Sequence, residues 1–165
     1  MRKSRRIALD AYIDVRDLSD STSRLLIWDA LRKYSIRALI PLLKDPEIEV
    51  RTAAARRLHI RGGNAAWAAA KKLCESRKPA DRIMGLLVLG QLGTPRLPYK
   101  RKTLDLIDTL LSRRQPALVV AQALYSVGHL RQGQPLEHAA LLNRIKDLKV
   151  KRGSDLADAK AFALG

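Results

Sequence analysis

The chain has 165 residues, one domain's worth and enough for a sizeable core, and 47% of them are apolar, which excludes a disordered chain. Aromatics make up only 4% and the one cysteine is Cys74, so the core must be built from Leu, Ala, Val and Ile, with no disulfide framework within the chain. Lys and Arg number 32 against 16 Asp and Glu, a net +16, which speaks of an acidic partner, protein or nucleic acid, and says little about fold.

Residues 1–22 read as a basic N-terminal arm (Arg2, Lys3, Arg5, Arg6) with one short helix over Ile7–Val15. Asp10, Asp14, Asp17 and Asp20 do not fit a signal peptide, and no apolar run approaches the ~18 residues of a spanning helix. A cytoplasmic protein with no membrane partner is expected. From Ser23 the apolar period is helical, with Leu25, Leu26, Trp28, Ala30 and Leu31 preceding Tyr34, and Trp28 is expected in the core. Ile36, Leu39, Ile40 and Leu43 line one face of a further helix. Asp45 then suits an N-cap, Pro46 the first helical position, and Glu47 and Glu49 the first turn of a second helix. Its buried stripe is Val50, Ala53, Ala54 and Leu58, and Gly62-Gly63 supply the positive φ of a helix stop.

Asn64 is the expected cap of the next helix, which runs to about Ser76 and buries Ala66, Trp67, Ala70, Leu73 and Cys74. Pro79 starts the following one, with Ile83, Leu86, Leu87 and Gly90 inward. Beyond a loop holding Pro95 and Pro98, four more helices are predicted. Leu104, Ile107, Leu110 and Leu111 mark the first, and Pro116 to Leu130 bound the second. Leu136, Ala139, Leu142 and Ile145 lie on the third, and the fourth runs from about Ser154.

The pattern repeats. Arg-x-x-small-x-x-small-Leu-Gly-x-Leu-Gly occurs as Arg82, Gly85, Val88, Leu89, Gly90, Leu92 and Gly93. It returns as Ala123, Leu124, Val127 and Gly128, and as Ala163, Leu164 and Gly165. Leu58, Leu89, Leu124 and Leu164 are 31, 35 and 40 residues apart, periods of paired-helix arrays in which each pair needs its neighbour to bury its face. The fold class expected is all-α, a HEAT-like α-solenoid of stacked antiparallel helix pairs over residues 23–165, ending on an incomplete repeat. Leu156, Phe162, Ala163 and Leu164 would then have nothing stacked beyond them, and residues 154–165 become a candidate for self-association.

The run Asp45-Pro46 to Val50-Arg51, Ala54 and Leu58 resembles the second helix of a HEAT repeat, with Arg57 standing where Ala is usual. Arg61-Gly62-Gly63 and Leu89-Gly90-Gln91-Leu92-Gly93 resemble a group of small bacterial HEAT-repeat proteins, and the likeness covers about residues 36–165. It implies a solenoid without a catalytic motif. Some members of that group lie beside Rhs-type polymorphic toxins.

No sequence pattern compels chemistry. His59, His129 and His138 are isolated in sequence, and the first two sit near helix ends where the dipole favours an imidazolium. Cys74 lies on an apolar stripe, Asp81 and Asp158 read as acids favoured at helix starts, and no metal-ligand spacing occurs. A HEAT-like DNA glycosylase would place an Asp and aromatics in a basic groove, and nothing here demands one. No catalytic residue, metal or cofactor is expected.

The charge pattern is more specific. Lys44, Arg77-Lys78, Arg113-Arg114 and Lys151-Arg152 fall in successive turns between first and second helices, which stacking would align as a ridge. A second set, Arg51, Arg56, Arg57, Arg61 and Arg82, falls on second helices, with Arg51 and Arg82 structural as the repeat's usual arginine. Partner binding is therefore expected at Arg56, Arg57, Arg61, Arg77, Lys78, Arg113, Arg114, Lys151 and Arg152. The expected function is a non-enzymatic binder of an acidic protein, as an antitoxin or immunity protein would be. The alternative is a module that binds duplex nucleic acid through its backbone.

Overall fold

A computed structural model describes residues 20–165, with side chains from Leu25, and no strand occurs among them. The expected helix over Ile7–Val15 and most of the basic arm lie outside the described residues. The helices are α1 (Asp20–Ala30), α2 (Ile36–Leu39), α3 (Ile48–Arg61), α4 (Asn64–Cys74), α5 (Pro79–Leu89), α6 (Lys100–Leu111), α7 (Ala117–Arg131), α8 (Ala139–Asp147) and α9 (Asp155–Leu164). A 3-10 segment, Ile40–Lys44, follows α2 directly. No helix among the described residues is long and apolar enough to cross a membrane. The chain divides into two units, with the boundary inside α3 between Arg57 and Leu58.

In the first unit, α1 turns Ile27 and Leu31 inward, one helical turn apart, while Leu25 is 65% exposed and Trp28 is half-buried. Trp28 is thus not the core residue expected, and Ile27 takes that place. A second departure follows from Pro41. It has no N–H to offer the carbonyl of Arg37, so the helix from Ile36 tightens into the 3-10 segment. The period shortens toward three, and Leu39 and Leu42 become the buried pair, with Leu43, in place of Ile36 and Ile40. Asp45 is extended and its carboxylate accepts from the Glu47 N–H (3.0 Å), but α3 starts only at Ile48. Asp45 thus closes the 3-10 segment and braces the turn, and Pro46 and Glu47 precede the helix they were expected to open. Val50, Ala53 and Ala54 are buried as expected.

The second unit is built from pairs. A four-residue turn, 75–78, returns α5 along α4, α7 packs on both α6 and α5, and α9 packs on α8 and α7. Gly90 after α5 abuts Ser126 of α7, and Gly128 of α7 abuts Phe162 of α9. Both contacts lie near C-terminal ends, so α5, α7 and α9 run the same way as one row. The partners α4, α6 and α8 lie beside them, with α6 also packing on α8. Gly62 and Gly63 stop α3 at φ +63° and +98°, as expected. Asn64 is the first residue of α4 and not its cap, a position Gly63 holds with no side-chain bond. On α9, Ala159 and Ala163 are fully buried, so Ala163 is covered, Leu156 and Leu164 are half-buried, and Phe162 is 43% exposed.

Close approach of the helices governs the packing. A Cβ on Gly85 would lie 2.6 Å from the Ala70 carbonyl oxygen and 2.8 Å from the Cys74 nitrogen. One on Gly90 would lie 2.9 Å from the Ser126 Cα. Ser126 uses the same proximity, donating from Oγ to the Leu86 carbonyl (2.8 Å) across the row.

Two predictions follow from this packing. Ala for Gly inside a helix ordinarily stabilises by up to ~1 kcal/mol, but overpacking against backbone costs ~1–3 kcal/mol. Gly85→Ala should therefore lower Tm by several degrees in a thermal melt, and a raised Tm would mean α4 and α5 are further apart. Leu89 is 1% exposed, so Leu89→Asp buries an unpaired carboxylate and should remove most of a ~5–15 kcal/mol stability. Loss of the cooperative circular-dichroism transition is the expected readout.

Candidate functional site

Two arginines hold successive turns by one device. Nη1 of Arg51 donates to the carbonyls of Asp45 (2.6 Å) and Pro46 (2.8 Å). Nη1 of Arg82 donates to those of Ser76 (2.9 Å) and Arg77 (3.2 Å), with Ser76 Oγ donating to the Asp81 carboxylate (2.7 Å). Each arginine is the fourth residue of its helix and reaches back five and six residues. The structural role expected of both is what they perform. The fourth residues of α7 and α9 are Val120 and Asp158, and those turns are held otherwise. Gln115 donates to the Leu110 carbonyl (3.0 Å), and Ser154 Oγ accepts from the Ala157 N–H and donates to the Lys151 carbonyl (2.7 Å).

That leaves the doublets. Arg77-Lys78, Arg113-Arg114 and Lys151-Arg152 are all exposed in the turns preceding α5, α7 and α9. Because those helices run the same way in one row, the turns open on the same end of the second unit. Among the described residues, none of the six makes an ion pair.

The remaining predicted residues are dispersed. Arg57 is taken up inside the first unit: its guanidinium stacks 3.4 Å from the Trp28 ring centroid and donates from Nε to the Trp28 carbonyl (3.1 Å). Arg56 is exposed and lines a groove of about 600 Å³ with Leu25, Trp28, Ile48 and Ala53. Arg61 lines a separate cleft of about 530 Å³ in the second unit, beside Gly62, Gly93 and Arg96.

Trp67 is half-buried and not core, with Lys102 Nζ 3.7 Å from its centroid and Nε1 donating to Thr103 (3.4 Å).

The histidines have structural partners that their sequence isolation hid. His59 is buried and donates from Nε2 to the Leu87 carbonyl (2.8 Å). His138 caps α8, its Nδ1 accepting from the Leu141 N–H and its Nε2 donating to Asp105 (3.1 Å), while Arg144 pairs with Asp108 (2.8 Å). These two links tie α8 to α6. His129 packs edge-on to Phe162 (5.2 Å), and burial of that face lowers its pKa, the reverse of the imidazolium expected at a helix end. Arg131, buried at the end of α7, was missed by sequence reasoning. It donates to the Gln134 carbonyl (2.6 Å) and to those of Phe162 and Ala163 at the end of α9. A cation two residues before Gly133, just past the helix end, is the pattern that marks it. Burial pushes the Cys74 thiol up to about 12, helped by the Glu75 carboxylate, so it is a core residue. No cluster of metal-ligating side chains occurs among the described residues.

The fold thus defines an all-α protein of packed helices whose second unit is a succession of helix pairs. No family model matches the chain, and no curated protein matches it. Among solved structures, the X-ray structure of YibA from Escherichia coli is similar, with a TM-score of 0.73 and 22% identity over 90% of this chain and 53% of that one. At that identity the likeness shows the fold alone, and this chain spans about half the length of YibA.

Removing the carbonyl clamp separates structural from surplus cations. Arg82→Ala should cost ~1.5–3 kcal/mol, as for hydrogen bonds to a charged group, whereas Arg113→Ala should stay within ~0.5 kcal/mol of the parent. Urea unfolding of the two variants measures both, and equal losses would contradict the assignment.

Proposed function

We propose that this chain is a HEAT-like α-solenoid that acts without catalysis, binding an acidic protein in the cytoplasm as an antitoxin or immunity protein would. The observation that carries the reading is the three exposed basic doublets at successive turns of one end of the second unit. A cation at the end of each first helix is worth only ~0.3–1 kcal/mol to the dipole, which accounts for one per turn and not for two. Helix rows pack ~10 Å apart, so the doublets form a line of paired charges some 20 Å long, suited to a run of carboxylates. Duplex nucleic acid also presents a line of anions. The Trp28 and Trp67 rings each carry a cation on one face, so neither offers that face to a stacking base.

Charge reversal tests the reading. Arg113→Glu, Arg114→Glu, Lys151→Glu and Arg152→Glu together should leave helicity unchanged. The variant should lose at least about tenfold of the capture of an acidic protein from the native source, since rim and steering charges act this strongly on association. Unchanged capture would overturn the role of the turns. Random duplex DNA bound by the parent with a log–log salt slope of about −5 or steeper would move the assignment to nucleic acid.

A further inference from the structure

On the outward side of the α5–α7–α9 row, α7 carries no Lys, Arg, Asp or Glu before its last residue, although the chain as a whole is +16, while α9 exposes Asp155 and Asp158 two turns and one turn before Phe162. On α7 no Lys or Arg precedes Arg131, whose buried guanidinium is spent on backbone carbonyls. On α5 the only cation is Arg82, turned back to its own turn. What α7 presents there is apolar. Leu118 is 71% exposed and Tyr125 36%, and they lie seven residues apart, two turns and ~10 Å along α7. Phe162 of α9 is 43% exposed and its ring lies 6.0 Å from that of Tyr125. On α5, Ile83 and Leu87, one turn apart, are half-buried and not turned fully inward as the sequence suggested. The strip therefore runs across three helices, and the basic doublets border it where the turns enter α5, α7 and α9.

We propose that this strip is a docking face for an amphipathic acidic helix of a partner protein. The apolar side of that helix lies on Leu118, Tyr125 and Phe162, and its carboxylates meet the doublets at the edge. The inference rests on the acidic-partner reading above and assigns it a contact face. Exposed Tyr, Phe and Leu together, rimmed by cations, have the composition of an interface core with a charged rim. Three helix rows at ~10 Å span 20–25 Å, which a helix of about 15 residues covers at 1.5 Å per residue. A second copy of the chain would bring another +16 against the doublets, and a duplex offers phosphates where the strip offers hydrocarbon.

The probe is a labelled peptide of about 18 residues, roughly 27 Å as a helix, with Glu on one helical face and Leu and Phe on the other. Its control is a scramble of equal composition and charge that lacks the helical period. Fluorescence anisotropy is read at ~150 mM salt, where the Debye length is ~8 Å. The parent should bind the amphipathic peptide at least about tenfold more tightly than the scramble, the worth of one good apolar anchor. Leu118→Lys with Tyr125→Lys adds positive charge, so an interface of charge alone would tighten. The strip predicts instead that the preference is lost while the scramble binds as well or better. Leu118→Lys alone, at a residue 71% exposed, repeats the test if the double variant melts early. A preference kept by the Lys variants, or absent in the parent, overturns the strip. Preference retained after Arg113→Glu and Arg114→Glu, with no loss of affinity for either peptide, overturns the role of the doublets and leaves the strip standing. A parent dimer in sedimentation that Leu118→Lys dissolves would make a second copy the occupant and overturn the acidic helix.

Discussion

The distance between neighbouring helices in the second unit is the constraint on which the remaining features depend. Gly85 lets α5 approach the backbone of α4, and Gly90 lets it approach Ser126 of α7. Neither position has room for a methyl group. At such separations carbonyls of one helix come within reach of short side chains on the next, and the structure uses them. Ser126 reaches the Leu86 carbonyl, and His59 reaches the adjacent Leu87 carbonyl. These polar links only form where the backbones are close, and they fix the register in which apolar residues such as Leu89 and Leu124 meet. With so few aromatic side chains to fill space, small residues at the contacts let a core of Leu, Val and Ala reach native density.

The same economy sorts the cations. Arg51, Arg57, Arg82 and Arg131 spend their guanidinium groups on backbone carbonyls, each at a place where chain ends or turns expose them. Arginine suits this because its planar fork can satisfy two carbonyls at once. The cations of the doublets do no such work, and Gln115 and Ser154 hold the later turns without charge. Excess positive charge destabilises a compact state by self-repulsion. Confining the surplus to exposed turns, in high dielectric, keeps that cost low and leaves the charges available to solvent and to partners.

Much of this was legible in the sequence, and the failures share a cause. Helix positions from α3 to α9 followed from apolar period, Pro79, Gly62-Gly63 and the recurrent Leu-Gly, all local signals. The role of Arg51 and Arg82 was legible because a five-to-six-residue reach lies within one repeat. The face of α1 was not, since Leu25, Leu26, Ile27 and Trp28 are all apolar and only tertiary packing chooses among them. Arg57, Trp67, His138 and Arg131 were misjudged or missed because their partners lie 29, 36, 33 and 32 residues away. Composition predicted a strongly basic surface, but not that the exposed side of one row would carry Leu118, Tyr125 and Phe162 and no lysine or arginine on α7 before its end. That feature depends on which residues the close-packed contacts consume, which no single helix reveals.

The separation of basic turns from an apolar strip has a consequence for selectivity. At physiological ionic strength the Debye length is ~8 Å, slightly less than the ~10 Å between helix rows. On the proposed reading each doublet would act on a docked partner nearly on its own, and together they would raise the encounter rate for any sufficiently acidic body. Steering of this kind discriminates poorly between one polyanion and another. Discrimination needs groups whose contribution depends on shape and desolvation, and on the proposed face the exposed candidates are Leu118, Tyr125 and Phe162. A partner that matched only the charge would arrive quickly and leave quickly. One that also presented apolar side chains at helical spacing would expel water from the strip, and would strengthen the neighbouring ion pairs by lowering the dielectric around them.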